Sequence, residues 1–424
     1  MKRTGKMQPI SSLRNHADFM RLWKAQAVSA FGSRITRTAL PIIAINTLGV
    51  SETVVATLAA LQLAPGVVLA LFAGGLVDRS RKRRILIGAD LFRAGVVLSL
   101  TVAWAFGALT MAHVIVVGAL VGAASSMFQI TDVAYLPALI PHELLANGNA
   151  KLSATEAIAE VSGPASAGVL IAALGAPLAV LIDAASYLWS AFMLGLIRRP
   201  EPAPKRAPPS ASVGWQTTKD LRLGMRTVFD QTQVRPIAIS LIVWSVTSGF
   251  FVALYAMFCL RELRLSVATL GMIVAMGGFG ALGGALVSRR LVRGIGLGWT
   301  LILCAAGSTT TALFIPLASG SRTTVLLCLG AHQLLSDGFA AAFLIQAVTL
   351  RQTVLPKEVL GRANAAIHVC TLGLLPVTAI LAGLLAEATT MRIAVWVGVV
   401  IGLGVPLTLL PLRKLKQMPL SPVA

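Results

Sequence analysis

Charge is scarce in this chain, and negative charge is scarcest. Only 12% of its 424 residues are charged, 36 of them basic and 16 acidic. A water-soluble domain carries about 25% charged residues, so a large soluble core is excluded. Cysteine is also rare. The four present, Cys259, Cys304, Cys328 and Cys370, all fall in apolar stretches and none forms a CxxC pair. Neither a disulfide framework nor a zinc site is expected, and no other metal-ligand spacing occurs. No Gly-Lys-Ser/Thr phosphate loop is present, so nothing points to direct ATP drive. Aromatic residues make up 6% of the chain. Its +20 formal charge sits between apolar runs rather than on a solvated face with stacking groups, so no nucleic-acid partner is expected.

Catalytic signatures are missing too. His332 and Asp337 have an acyltransferase-like spacing, but a five-residue step turns two side chains about 140° apart on a helix. Gly278 to Gly283 fits a dinucleotide fingerprint with no strand before it, and reads as helix packing. A membrane enzyme needs a convergent nucleophile, base or metal constellation, and none is visible.

What is present is apolar length. Hydrophobic residues make up 56% of the chain and mean hydropathy is +0.81. A membrane-crossing helix needs about 20 mostly apolar residues. Twelve such segments lie near 22–48, 53–77, 84–106, 110–136, 152–174, 177–197, 236–260, 266–288, 297–317, 323–350, 363–386 and 391–412. The first retains Arg34 and Arg37, so it reads as a kept helix and not a cleaved leader. The expected fold is an all-α integral membrane protein with twelve transmembrane helices in two pseudo-symmetric six-helix bundles.

Residues 198–235 divide the segments six and six. They hold Pro200, Pro202, Pro204, Pro208 and Pro209, then an amphipathic stretch, Leu221 to Phe229, which reads as a linker followed by a surface helix. The expected units are an N-terminal tail (1–21), a first bundle (22–197), the linker (198–235), a second bundle (236–412) and a C-terminal tail (413–424). The tails and linker-side loops carry about 28 of the 36 Lys and Arg, and the opposite loops carry about four: Arg261, Arg264, Arg322 and Arg392. Short basic loops stay cytoplasmic, so both termini and the linker are expected there.

The halves echo each other. Ile140-Pro141-His142-Glu143-Leu144-Leu145 with Asn149-Ala150 recurs as Leu355-Pro356-Lys357-Glu358-Val359-Leu360 with Asn364-Ala365. Ala73-Gly74-Gly75-Leu76-Val77 recurs as Gly283-Gly284-Ala285-Leu286-Val287. Two echoes at nearly one offset, each in the matching loop, indicate a duplicated unit.

The loop after the second segment is the densest signal. Asp78 to Arg84 packs one carboxylate and five basic residues, Arg79, Arg81, Lys82, Arg83 and Arg84, into seven positions. Such a cluster cannot sit in hydrocarbon and makes a tight hairpin on one membrane face. Together with the twelve segments, the two halves and the basic linker, Gly74, Asp78, Arg79, Arg83 and Arg84 resemble the first-hairpin motif of the major facilitator superfamily. Arg81 stands where that motif has its second glycine. Ala39-Leu40-Pro41, Asp90 to Ala94 and Asp183 to Tyr187 look most like its drug:proton antiporter branch, which contains macrolide and siderophore exporters. Gly163-Pro164-Ala165-Ser166-Ala167-Gly168 is similar to that branch's antiporter motif, with Ala159 and Ala167 in place of two glycines. A kinked, closely packed helix explains Gly163, Pro164 and Gly168 equally well.

The resemblance implies that Asp78 helps latch the two halves at the cytoplasmic face. The residues themselves suggest more. Gln26, Ser29, Ser33 and Arg37 recur three and four apart and form one polar stripe. A mid-membrane Arg costs about 2.5–3.5 kcal/mol, so Arg37 and Arg34 either face a water-filled cavity or lock the first helix to a neighbour. Asp337 and Asp132 are candidates for proton coupling, since a buried carboxylate near a cation has a tunable proton affinity. Asp90 and Asp183 read as structural, and Glu156 and Glu160 as lying near the cytoplasmic end of the fifth helix.

The resemblance implies a monomeric secondary active transporter that exports a small molecule by proton antiport through alternating access, driven by the proton gradient with no cofactor. An uptake symporter or a lysophospholipid transporter is the alternative, and a membrane enzyme is a distant one. Orientation can be tested directly. A cysteine placed at Ser80 is expected to react with a membrane-impermeant maleimide only after cells are opened, and one at Ser321 in intact cells; the reverse pattern would invert the topology.

Overall fold

The computed structural model describes residues 13, 16–78, 80–141, 144–201 and 213–415. It is all-helical over these residues. Six long helices come first: α1 (Ala17–Ile42, continued by a π turn, Ile43–Thr47), α2 (Glu52–Asp78), α3 (Lys82–Ala105), α4 (Met111–Leu139), α5 (Leu145–Leu174) and α6 (Ala176–Gly195). The linker carries α7 (Val213–Asp230), an amphipathic helix that starts eight residues before the expected stretch. The second set is α8 (Arg235–Met257, with a π turn Phe258–Glu262), α9 (Val267–Ile295), α10 (Leu297–Thr311) with the short α11 (Phe314–Leu317), α12 (Arg322–Val354), α13 (Lys357–Ala388), and α14 (Met391–Gly402) with α15 (Val405–Thr408).

Ten of these segments are long and apolar enough to cross a membrane. Neither α2 nor α1 is among them, and α1 carries Asp18, Arg21, Lys24, Arg34 and Arg37. Its spanning role rests on the partners described below. α5 begins seven residues earlier than expected and takes in the polar run Asn147-Gly148-Asn149-Ala150-Lys151, and α9 ends seven residues later than expected. Glu160 therefore sits half-way along a spanning helix, not near its end.

Glycines set the closest approaches. A Cβ on Gly280 or Gly284 of α9 would overlap the carbonyl oxygens of Leu334 and Gly338 on α12. Without an interhelical hydrophobic drive in lipid, such backbone contact is what van der Waals packing uses. The linker-side base of the first half is stapled by two carboxylates. Asp18 accepts from Arg21 (2.6 Å) and from the amides of Arg198 and Arg199 (3.1 and 3.0 Å). Glu201 accepts from the amides of Lys82 and Arg83 (2.6 and 3.3 Å), capping the start of α3, where a negative charge meets the positive helix end.

The apolar cores distribute unevenly. At the end away from the linker, Met257, Leu260, Val267 and Met391 of the second half join the core of the first. Ala56 and Ala60 of α2 join the core of the second. Toward the linker each core belongs to one half: Phe19, Leu86, Leu136 and Leu194 in one, Leu297, Phe343, Leu350 and Leu412 in the other. α7 packs on the second half, with Val228 in a cluster with Ala238, Ala363 and Ile367.

Gly284→Ala is expected to lower the detergent-solubilised unfolding temperature, by about 1–3 kcal/mol of overpacking. Gly283→Ala, where an added Cβ meets nothing within 4 Å, is expected to leave it unchanged. Equal behaviour of the two would remove the backbone-contact argument.

Candidate functional site

Three residues of the polar stripe of α1, Gln26, Ser29 and Ser33, line a cavity of about 340 Å³ in the first half together with Gln129, Asp132 and Ser153, and Arg37 does not line it. Gln26 Nε2 donates to Asp132 Oδ1 across α1 and α4. Trp23 Nε1 donates to Thr155 Oγ1 at 2.9 Å, tying α1 to α5 beside it. Arg93 also lines this wall. It is buried, pairs with Asp90 one turn back on α3, and lies between the rings of Phe128 and Tyr187, 4.6 and 4.3 Å from their centroids. Sequence reasoning missed Arg93, although Asp90 three residues earlier was the available signal. Asp183 is fully buried and accepts from Ser186 at 3.0 Å.

One turn further along α1 the two central arginines part company. Arg34 is buried and pairs with both Glu156 and Glu160, which lie one turn apart on α5. Its alkyl stem occupies the space that a side chain on Gly163 would fill. Both carboxylates remain mostly exposed, at 58% and 59%. Arg34 is thus a helix lock that holds two carboxylates toward open space. Arg37 is exposed and makes no hydrogen bond or ion pair among the described residues. Of the two possibilities left open by the sequence, Arg34 takes the locking one. The signal for Glu156 and Glu160 was their four-residue spacing opposite an arginine pair.

The antiporter-like segment lies where the halves meet. The backbone of Pro164 and Gly168 abuts Gly271 on α9, and a Cβ on Gly168 would fall 2.9 Å from the Val267 carbonyl oxygen. Further contacts between halves gather at the same end. Arg261 donates to the Val50 carbonyl at 2.8 Å and lies 3.8 Å from Glu52. The Thr53 amide donates to Glu387 at 3.2 Å.

At the linker end, Gly74 and Asp78 fall in the last turns of α2, and Arg79 lies outside the described residues. Arg83 Nε donates to the Leu194 carbonyl at 2.8 Å, and its Nη2 donates to the Gly195 carbonyl. It caps the end of α6 within the first half, where a cation opposes the negative helix end. Arg84 is exposed.

Asp337 lies half-way along α12 beside a second cavity of about 340 Å³, inside the second half. Its Oδ2 accepts from Gln333 Nε2 at 2.7 Å, in space left by Gly277 of α9. His332 lines the same cavity, contrary to the expected divergence. The two do not form a dyad, since His332 Nδ1 bonds the Thr311 carbonyl at 3.1 Å.

The sequence profile of the Major Facilitator Superfamily matches residues 22–335. The chain belongs to this superfamily. It is a multi-pass membrane transporter of that type. Solved structures share the fold at low identity. A bacterial homologue of the iron transporter ferroportin, inward-facing, is 19% identical with a TM-score of 0.73 over 96% of this chain and 100% of that one. A mutant of the nucleoside transporter NupG is 12% identical with a TM-score of 0.74 over 94% and 100%. The ferroportin homologue facing outward, at 19% identity over 93% and 99%, scores 0.59. No curated protein matches the chain.

The Arg34 lock is testable by non-additivity. Glu156→Gln and Glu160→Gln singly are expected to cost about 1 kcal/mol or less of stability, since one carboxylate remains. The double variant leaves a buried guanidinium unpaired and is expected to cost about 3 kcal/mol or more. Thermal unfolding in detergent measures this, and simple additivity would refute the shared lock.

Proposed function

We propose that this transporter is a secondary active exporter, in which a proton moving inward drives a small molecule outward. The observation that carries the reading is the division of the cores. The halves share apolar cores and polar contacts away from the linker and have separate cores toward it. A polar cavity lies in each half. Rocking two such units about a shared centre gives alternating access without rebuilding either core. The positive-inside asymmetry puts the linker and termini in the cytoplasm of a bacterium, so the form described here opens inward. The protein works as a monomer and draws on the proton gradient, with no resident cofactor.

Asp132 is the first choice for the proton site. It lines a polar cavity, and its partner Gln26 can donate to the carboxylate or accept from the acid. Asp337 is the second choice. Arg37, exposed at half-depth, faces the cargo. Asp78 and Arg79 close the cytoplasmic side in the opposite state, and Arg83 holds the hairpin that carries them. The segment from Gly163 to Gly168 serves as the pivot on which α5 moves against α9. One proton supplies about 2.3 kcal/mol per 100 mV and about 1.4 kcal/mol per pH unit, enough at 100 mV and one unit for a gradient of about 500-fold.

The test loads cells with dyes, macrolides and catechol siderophores and follows their retention. Wild type is expected to lose one class faster than Asp132→Asn, and an uncoupler to remove the difference. Proton uptake into proteoliposomes during efflux of that compound confirms exchange. Retention that ignores the uncoupler would sink antiport, and accumulation in place of loss would establish uptake.

A further inference from the structure

The cavity inside the second half differs in chemistry from the one in the first. It lies between α8, α10 and α12, and it is walled by Trp244, Phe251 and Tyr255. Asp337 is the one acidic side chain lining it, and no Lys or Arg does. Trp244 is held flat against Phe343, with centroids 5.4 Å apart. His332 lies 6.5 and 6.4 Å from the rings of Phe251 and Tyr255. Its Nδ1 is engaged by Thr311, which leaves Nε2 as an acceptor when Nδ1 carries the proton.

Two observations point to a ligand. Asp337 Oδ2 has Gln333, but the carboxylate has no cationic partner among the described residues. Tyr255 Oη finds no hydrogen-bond partner beyond the weakly accepting Cys259 thiol. An anion in a low-dielectric site without a counterion attracts one. Aromatic faces strengthen that attraction for an organic cation. A volume of about 340 Å³ is at the low end of the roughly 300–1,000 Å³ of small-molecule sites.

We propose that this pocket, within one half rather than between the two, binds a small organic monocation. The ammonium group sits on Asp337, and its apolar body lies against Phe251, Tyr255 and Trp244. This names a cargo class for the exporter and rests on that reading, but binding can be measured without transport.

The probe is radiolabelled benzyltrimethylammonium, whose charge is fixed, with full-length protein in detergent at neutral pH. Saturable binding is expected to the monodisperse wild type. Asp337→Asn and Phe251→Ala are each expected to weaken it by about tenfold or more, and Val400→Ala, exposed on α14, to leave it intact. Phe251→Ala keeps the test valid if Asp337→Asn does not fold. The uncharged isostere neopentylbenzene is expected not to displace the probe.

No binding to wild type, undiminished binding to both pocket variants, displacement by the uncharged isostere, or loss in Asp132→Asn with Asp337→Asn unchanged would each overturn the proposal. Cation binding whose transport moves no protons would leave the pocket standing and remove antiport. Proton-coupled export of another compound, with no binding of the cation, would do the reverse.

Discussion

A hydrocarbon surrounding supplies no hydrogen bonds, so every charge at mid-membrane depth must find a protein partner or water. That constraint explains the placement of the internal ions in this molecule. Arg93 satisfies it with Asp90 and two aromatic faces. Arg34 satisfies it with two carboxylates on the neighbouring helix. Arg37 and Asp337 meet it differently, since neither has an ion-pair partner among the described residues and each is left toward open space. The paired ions hold a half together, and the unpaired ones border open space.

Small residues complete the arrangement. Glycines on α9 bring it into backbone contact with α12 inside one half, and glycines on α5 and α9 bring the two halves together. The first contact lies within one half; the second runs between halves, from mid-depth toward the end away from the linker. A rigid unit that meets its twin over a limited surface can rock without losing its own core. The linker helix α7 follows the second half, and Asp18 and Glu201 tie the linker's beginning to the first. The connection therefore spans the two units and belongs wholly to neither.

Membership in a transporter superfamily and the all-helical fold were legible from hydropathy, loop charge and one hairpin motif. Helix boundaries were legible to within a few residues except at the starts of α5, α7 and α13 and the end of α9, and at α5 a polar run disguised an extra two turns of helix. The stripe of Gln26, Ser29, Ser33 and Arg37 was legible because helical periodicity places side chains on one face regardless of what they meet. The pairing of Arg34 with Glu156 and Glu160 was not, because it joins residues more than a hundred positions apart and depends on Gly163 making room. The pocket around Asp337 was hidden for a similar reason. Its walls come from several helices, and only their packing shows that Trp244, Phe251 and His332 share one space with that carboxylate.

The sequence by itself determined that the chain crosses a membrane many times, in two related halves, with its basic loops on one side. These properties follow from transfer free energies summed along short segments, which require no knowledge of neighbours. Tertiary structure decided which charges cancel and which stay available, and at which end the halves close. Those outcomes depend on distances between helices remote in sequence, and a difference of one helical turn converts a locked arginine into a free one.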